Sequence, residues 1–222
     1  MSATPRNVAI TGATGYMGRA LCTKLVARGH RVRALVRPGT SQRVVPGAEP
    51  VELDLFNIDA LARGLDGQDT VVHLIGTAHP NPRKAQEFLR VDLASARACV
   101  AAAARSGLKH FVYVSVAQPA PVMHAYVSAR AQAERELTDS GLTATVIRPW
   151  YVLGPGHRWP ILLMPFYLWA ELIPAWRDTA RRLGLVTLAQ MINALGQAVE
   201  QPPPAGTRRI VDVPQIRRSA DI

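Results

Sequence analysis

Short runs of apolar and β-branched residues alternate along the chain with longer stretches whose apolar positions recur every three or four residues. The short runs predict strands at residues 7–11, 31–37, 51–55, 70–75, 111–116, 143–148 and 208–213. The longer stretches predict helices at residues 16–28, 58–63, 82–105, 128–139 and 187–200. Gly29, Gly107 and Gly141 each follow one of these helices, where glycine commonly ends a helix. Regular alternation of this kind predicts an α/β fold, a doubly wound parallel sheet with helices on both faces.

The pattern changes near residue 156. We expect residues 1–156 to form a domain around the sheet, and residues 157–222 to form a small C-terminal region packed on it at the substrate side. Residues 159–176 are nearly uncharged and contain three tryptophans, three prolines and Glu171. The prolines and Glu171 argue against a transmembrane span, which needs about 20 continuous apolar residues. The segment fits the wall or lid of an apolar substrate pocket; a buried packing helix and a surface contact with a membrane are the alternatives.

Composition and charge narrow the class of protein. The 222 residues are 48% hydrophobic and 19% charged, which is typical of one folded globular domain. Cys22 and Cys99 fall in predicted helices without metal-ligand spacing, so we expect buried reduced thiols and no metal. The chain shows no secretory signal, and we expect a cytoplasmic protein.

The formal net charge of +10 comes mainly from arginines that are scattered along the chain. Doublets of arginine are present, but no long basic stripe interleaved with aromatic residues accompanies them. We therefore expect a small-molecule partner and no nucleic acid. The sequence carries no signal for the oligomeric state.

The first predicted strand runs directly into a glycine-rich turn, TGATGYMG at residues 11–18, which opens the first predicted helix. Gly12 permits the tight turn, Gly15 lets the backbone approach a pyrophosphate, and Gly18 lets the helix pack closely on the sheet. The pyrophosphate then lies on the free amides of the helix N-terminus. This context predicts a Rossmann-type dinucleotide site, with a turn that binds nothing as the alternative. The turn contributes Gly12, Thr14, Gly15, Tyr16, Met17 and Gly18 to the predicted site.

The end of the second predicted strand bears on the choice of cofactor. In this fold an acidic side chain there binds the adenosine ribose of NAD, whereas an arginine accommodates the 2′-phosphate of NADP. The strand ends in Arg37, and no acid follows until Glu49. We therefore expect NADP(H) to be preferred over NAD(H). Asp54 and Leu55 end the third predicted strand, where they either face the adenine or only close the strand.

Further motifs follow in the order TGATGYMG, LDL at 53–55, VVHLIG at 71–76, ACVAAAARSGLKHFVYVS at 98–115, YVSARAQAE at 126–134 and RPWYVLGPG at 148–156. In these stretches the chain resembles the short-chain dehydrogenase/reductase superfamily. It is most similar to the atypical, NmrA-like or NAD(P)H-binding branch, near the extended epimerase/dehydratase type. The resemblance covers residues 7–156 well and the remainder loosely. It extends the expected cofactor site to Leu74, Ile75, Gly76, Tyr126, Arg130 and Pro149.

The resemblance also implies a catalytic tyrosine, assisted by a serine and by a lysine four residues after the tyrosine. Tyr126 and Ser115 match the first two, but Arg130 stands where the lysine is expected. A phenol ionises near pH 10, so it needs a nearby cation to work at neutral pH. Arg130, one helical turn from Tyr126, supplies that charge but cannot release a proton. Two ordinary surface residues of a helix are the alternative for this pair.

The histidines are weaker candidates. We expect His73 to be a core residue of a strand, and His79 and His124 to lie on loops near the cleft. The sequence as a whole predicts hydride transfer between NADP(H) and an apolar carbonyl or alcohol, with Tyr126 as acid/base, Ser115 polarising the carbonyl and Arg130 as cation. The alternative is a cofactor-binding redox sensor or assembly module without turnover.

Overall fold

The structure is a computed structural model that describes residues 4–77, 80–154 and 182–219. Seven strands form the main sheet: β1 (Asn7–Thr11), β2 (Arg31–Val36), β3 (Glu49–Glu52), β4 (Thr70–His73), β5 (His110–Val114), β6 (Ala144–Arg148) and β9 (Arg208–Asp212). Their order is β3-β2-β1-β4-β5-β6-β9, and all neighbours are parallel. A separate parallel pair consists of β7 (Tyr151–Leu153) and β8 (Leu185–Thr187). This is the Rossmann-type order, in which the chain reverses direction across the sheet beside β1.

Helices cover both faces of the sheet. They are α1 (Tyr16–Ala27), α2 (Ile58–Leu65), α3 (Ala85–Glu87), a π-helix (Phe88–Leu93), α4 (Ala94–Arg105), α5 (His124–Asp139), α6 (Leu188–Glu200) and α7 (Val213–Arg217), with short 3₁₀ turns at Ser41–Arg43 and Pro82–Lys84. Leu21 and Leu25 of α1 share one apolar cluster with Met191 and Leu195 of α6. The buried residues of α2, α4 and α5 belong to a second cluster on the opposite face. The predicted doubly wound α/β fold is therefore confirmed.

The pattern did not predict β7, β8 and α7, and several predicted ends differ by one or two residues. Three further differences concern β3, α5 and the helix predicted at 82–105. β3 ends at Glu52 instead of residue 55, because the Asp54 side chain accepts the Phe56 amide at 2.9 Å and turns the chain. α5 begins at His124, four residues before the expected start, after Met123 in the left-handed region with φ of 59°. The predicted helix at 82–105 contains a π-helical stretch at Phe88–Leu93. The last two differences bring residues into the candidate site.

The C-terminal part of the chain contributes directly to the main sheet. Arg208 pairs with Ala144 and Asp212 with Arg148, and α6 packs on α1. The domain boundary near residue 156 stays a prediction, and the aromatic segment 159–176 lies outside the described residues. Cys22 and Cys99 are buried and free, as expected, and burial raises the pKa of both thiols to about 12. In parallel sheets of this order, ligands bind beyond the carboxyl ends of the strands, and the candidate residues gather at that edge.

Candidate functional site

The glycine-rich turn between β1 and α1 is shaped by close backbone contacts. Gly12 has φ of +72°, and a Cβ atom added to it would lie 3.0 Å from the Leu74 carbonyl at the end of β4. A Cβ on Gly18 would lie 2.2 Å from the Gly12 oxygen and 2.7 Å from Ala13 Cα. Side chains at these two positions would displace the turn, so both glycines are required by geometry. Gly15 closes the turn by donating its amide to the Gly12 oxygen at 3.0 Å.

The N-terminus of α1 suits an anion. Its N-cap residue Gly15 has no capping side chain, and the first turn carries no acidic residue. The amides of this turn, including those of Tyr16 and Met17, precede the first intrahelical bond, in which Arg19 donates to the Gly15 oxygen. Such amides, together with the helix dipole, bind phosphate groups. Thr14 is half-buried beside them.

Tyr16 connects this turn to the C-terminal side of the site. A Cβ atom on Gly154 would lie 1.7 Å from the Tyr16 hydroxyl, so only glycine leaves room for the ring. Burial and the neighbouring Tyr151 raise the pKa of Tyr16. Gly154, which immediately precedes segment 155–181, is thus a site residue that the sequence alone did not single out.

An acidic residue does lie beside the end of β2, but it belongs to the neighbouring strand β3. Arg37 is exposed just beyond β2, as expected. Glu52 stands opposite Val36 in the strand register, and its carboxylate accepts the amide and the hydroxyl of Ser41. Hydrogen bonds from Ser41, and from the backbone of Gly39 and Thr40, lower the pKa of Glu52. The loop after β2 therefore contains the cation Arg37 and is bonded through Ser41 to the carboxylate of Glu52 in β3.

The end of β3 has mainly a structural role. Asp54 is exposed, and its Oδ1 accepts the Phe56 amide as described above. Leu55 is buried in the apolar cluster of α2 and α4, so its side chain faces the core. Leu74 and Ile75 are half-buried at the end of β4, against Gly12, and Gly76 follows them at the surface.

Tyr126 and Arg130 lie on one face of α5, as the spacing predicts. The Arg130 guanidinium carbon is 5.3 Å from the centroid of the Tyr126 ring and 5.8 Å from that of Tyr113 in β5. Tyr126 is half-buried and also contacts Phe88 of the π-helix, with 5.0 Å between ring centroids. These two residues are therefore a packed pair and not ordinary surface residues of a helix.

Arg130 is only 5% exposed, and its guanidinium is held by buried partners. Nη1 donates to the Val114 carbonyl at 2.7 Å, and Nη2 donates to Asp92 Oδ1 at 2.6 Å. Burial lowers the pKa of Arg130, but Tyr126, Tyr113 and Asp92 reverse that effect and raise it overall. Arg130 is thus a permanent cation paired with Asp92, a residue that the sequence reasoning missed.

Buried polar atoms without a partner cluster near this pair. Ser115 Oγ, in a residue 3% exposed just after β5, has no hydrogen-bond partner among the described residues, and neither has Arg130 Nε. Beside Ser115, the Ala117 amide donates to the buried Pro149 carbonyl at 2.9 Å, which joins the ends of β5 and β6. Buried polar groups usually have partners, so unpaired ones in a cleft mark the place of a polar ligand. Burial raises the pKa of the adjacent Tyr113 to about 12.

His73 is a core residue, as expected. It is fully buried between the Thr11 hydroxyl at 2.9 Å and the Ser95 hydroxyl at 3.3 Å, and burial lowers its pKa to about 3. His124 is the exposed first residue of α5 and not part of a loop. His79 lies outside the described residues.

The described residues fit a dinucleotide in two independent ways. The glycine cradle at Gly12 and Gly18 leaves no room for side chains, and the helix N-terminus beside it has no internal anion. At the other end, Ser115 Oγ and Arg130 Nε are buried without a partner in the described part of the chain. Within the same residues, no group of three or more His, Cys, Asp or Glu side chains is placed to bind a metal. No described helix has the length and apolar character to cross a membrane.

Comparison with known proteins agrees with this geometry. The family model of NAD(P)H-binding proteins matches residues 12–157. The chain is 30% identical over 179 residues to the ceramide reductase of Caulobacter vibrioides (78% of this chain, 55% of the relative). It is also 30% identical over 167 residues to the 4-hydroxy-2-methyl-3-oxo-4-farnesyl-3,4-dihydroquinoline-1-oxide ketoreductase of Stigmatella aurantiaca (65% and 50%). The chain therefore spans about half the length of these relatives.

Solved structures show the same fold at lower identity. MoeE5 in complex with UDP-glucose and NAD superposes with a TM-score of 0.69 at 20% identity, over 95% of this chain and 79% of that one. A nucleoside-diphosphate-sugar epimerase from Staphylococcus aureus gives a TM-score of 0.65 at 21% identity, over 93% and 71%.

Proposed function

This chain belongs to the NAD(P)H-binding family, which confirms the resemblance drawn from its motifs, and we propose that it is an oxidoreductase with a preference for NADP(H). It interconverts a carbonyl and an alcohol in an apolar small molecule. The observation that carries this proposal is the packed pair of Tyr126 and Arg130 on α5. Arg130 of this pair donates to the Val114 carbonyl, next to Ser115. The reductase names of the two relatives support the same class of reaction.

The dinucleotide is held along the carboxyl edge of the sheet. The first-turn amides of α1 bind its pyrophosphate, with Gly12 and Gly18 leaving space for the turn. Arg37 faces the adenosine end, where its guanidinium suits a 2′-phosphate. Ser115, Tyr126 and Arg130 surround the nicotinamide end. When bound, the cofactor supplies or accepts a hydride.

The protein's own residues manage the proton and the orientation of the substrate. Tyr126 donates a proton to the substrate oxygen during reduction and takes it back during oxidation. The Ser115 hydroxyl donates a hydrogen bond to the same oxygen, which satisfies its buried Oγ. Arg130 places a fixed positive charge 5.3 Å from the Tyr126 ring, but its guanidinium does not give up a proton. Proton exchange with solvent therefore runs through Tyr126 itself and not through a charged relay beside it.

An apolar substrate is the class we infer. Segment 159–176 lies in the sequence between β7 and β8 and is nearly free of charge. The relatives' names refer to a ceramide and to a farnesyl-bearing quinoline, both of which carry long apolar groups. Substrate pockets of this kind are lined mainly by hydrophobic and aromatic side chains.

A second candidate is favoured by the Asp92–Arg130 contact. A guanidinium bound at 2.6 Å to a buried carboxylate carries little net charge toward Tyr126. A protein with this arrangement binds the dinucleotide yet turns over slowly or not at all, which is the behaviour of a redox sensor or assembly module.

Tyr126→Phe separates the two functions. We expect the variant to lose about 10²–10⁴-fold of the rate of NADPH oxidation with the best ketone of an apolar carbonyl panel. The ring contacts to Phe88 and Arg130 remain, so we expect thermal unfolding to stay unchanged and NADPH affinity to fall far less than the rate. An equal rate in Tyr126→Phe would contradict the catalytic assignment. Tight NADPH binding without turnover on any carbonyl would favour the sensor.

A further inference from the structure

The π-helix brings a buried carboxylate to the nicotinamide end of the site. Asp92 is 0% exposed and lies four residues after Phe88, on the face that contacts α5. Through this face Phe88 packs on Tyr126 and Asp92 binds Arg130. π-helical stretches are frequent at functional sites, because the wider turn redirects side chains.

Both oxygens of Asp92 are used, and by different elements. Oδ1 accepts Arg130 Nη2 at 2.6 Å. Oδ2 accepts the Thr77 amide at 3.0 Å and the Thr77 hydroxyl at 2.6 Å. All three partners are donors, so the position requires two acceptor atoms. A carboxylate has two, whereas an amide of the same shape has one and would turn its NH₂ group toward a donor.

The same contacts fix the loop after β4. A Cβ atom on Gly76 would lie 2.3 Å from Arg130 Nη2 and 3.2 Å from Asp92 Oδ1, so the guanidinium lies directly under this glycine. Thr77 is bonded to the carboxylate by both main chain and side chain. The loop that follows Leu74 is therefore held in place by the ion pair of Asp92 and Arg130. We refer to this ion pair, with its bonds to Thr77, as the clamp.

The clamp also sets the charge that Tyr126 faces. Arg130 faces its ring from α5, Asp92 lies behind Arg130 on the π-helix, and Tyr113 faces Arg130 from β5. His73 of β4 is the next group, 6.0 Å from the Tyr113 ring, and it is neutral because burial lowers its pKa to about 3. Without the Asp92 charge, the Arg130 cation would act on Tyr126 at full strength.

We propose that Asp92 is a positioning residue. By accepting from Thr77 and pairing with Arg130, it holds the Gly76–Thr77 loop in place for the dinucleotide. The proposal rests on the proposed function only for its dinucleotide, since loop exchange and NADPH affinity are measurable without turnover.

Asp92→Asn tests this role, and Glu134→Gln is the matched control. Glu134 is also buried and lies one turn after Arg130 on α5, but its partners are Arg148 Nε at 3.0 Å and Gln118 at 2.7 Å. Both variants exchange a buried, ion-paired carboxylate for an amide, so both are expected to lower thermal stability. Only Asp92→Asn is expected to speed hydrogen exchange at the Thr77 amide and to weaken NADPH binding, each by about tenfold or more.

The outcomes separate the two proposals. Unchanged Thr77 exchange and NADPH affinity in Asp92→Asn would overturn the positioning role, and so would equal changes in Glu134→Gln. Absence of turnover in the wild type, together with the expected changes in Asp92→Asn, would reject the proposed oxidoreductase function and leave the clamp standing. A double variant with Arg130→Met adds a check, because two residues of one clamp give non-additive losses in NADPH affinity.

Discussion

At the residue scale, the proposed adenosine end of the site has Arg37 and Glu52 as residues of opposite charge. In the proposed site Arg37 would attract a 2′-phosphate, whereas the Glu52 carboxylate, which accepts the Ser41 amide, would repel it. We expect Arg37→Ala to reduce the ratio of NADPH to NADH affinity about tenfold, and Glu52→Gln to increase it. Fluorescence titration of both cofactors measures the ratio. The same ratio in wild type and Arg37→Ala would contradict the assigned phosphate contact.

Individual residues also show which parts of the candidate site can be predicted from a sequence. Gly12, Gly15 and Gly18 were predicted because the turn and the helix are local, and Gly15 and Gly18 lie against backbone within a few positions of themselves. Glu52 and Asp92 were missed because their partners come from other elements, Ser41 at a separation of 11 residues and Arg130 at a separation of 38. These two acidic residues reach their partners only through strand register and helix packing. Neither of these produces a motif that can be recognised in the sequence.

At the element scale, α6 depends on its first turn. The Thr187 hydroxyl accepts the Gln190 amide at 3.2 Å, and Gln190 Oε1 accepts the Thr187 amide at 2.9 Å, which forms a capping box. We expect Thr187→Ala to lower the free energy of unfolding by about 1 kcal/mol, measured by urea denaturation. Thr23→Ala in α1 is the control, since the exposed Thr23 hydroxyl only bonds the Arg19 carbonyl one turn back. Equal losses in the two variants would contradict a capping role.

Element existence was predictable, and element ends were less so. Periodicity located every strand of the main sheet, because fully buried parallel strands are continuous β-branched runs. The start of α5 was missed because Met123, its N-cap, adopts a left-handed conformation that favours glycine or asparagine, and its side chain gives no helix start signal. The π-helix was missed because it adds only one residue to the helical turn. The apolar period of the helix shifts over so few residues that the change cannot be recognised in an alanine-rich stretch.

At the scale of the whole molecule, two buried histidines tie stability to pH. Burial lowers the pKa of His73 to about 3 and that of His110 to about 4, and the neighbouring cations Arg130, Arg209 and Arg6 contribute. In the unfolded chain both imidazoles ionise near pH 6.5. Below that pH the unfolded chain binds more protons, so the free energy of unfolding falls, by about 1.4 kcal/mol per pH unit for each histidine well below pH 6.5.

Urea denaturation between pH 7.5 and 4.5 tests this dependence. We expect stability to be nearly constant above pH 7 and to decline below about pH 6.5. Carboxylates with lowered pKa, such as Asp69 and Glu200, add their own loss only at still lower pH, near the ordinary pKa of an acid. His73→Gln with His110→Gln is expected to flatten the decline. If the free energy of unfolding declines with the same slope in this double variant, groups other than these two histidines cause the decline.

The pairing of β7 with β8 has an evolutionary consequence. Tyr151 pairs with Leu185 and Leu153 with Thr187 in parallel, so the chain leaves this small sheet and returns to it within about 10 Å. Because the two ends are fixed side by side, the stretch between them is free to change in length and composition at a small entropic cost. If this stretch holds the proposed substrate wall, its mutation would diversify what the protein acts on while the sheet that carries the dinucleotide site is inherited intact.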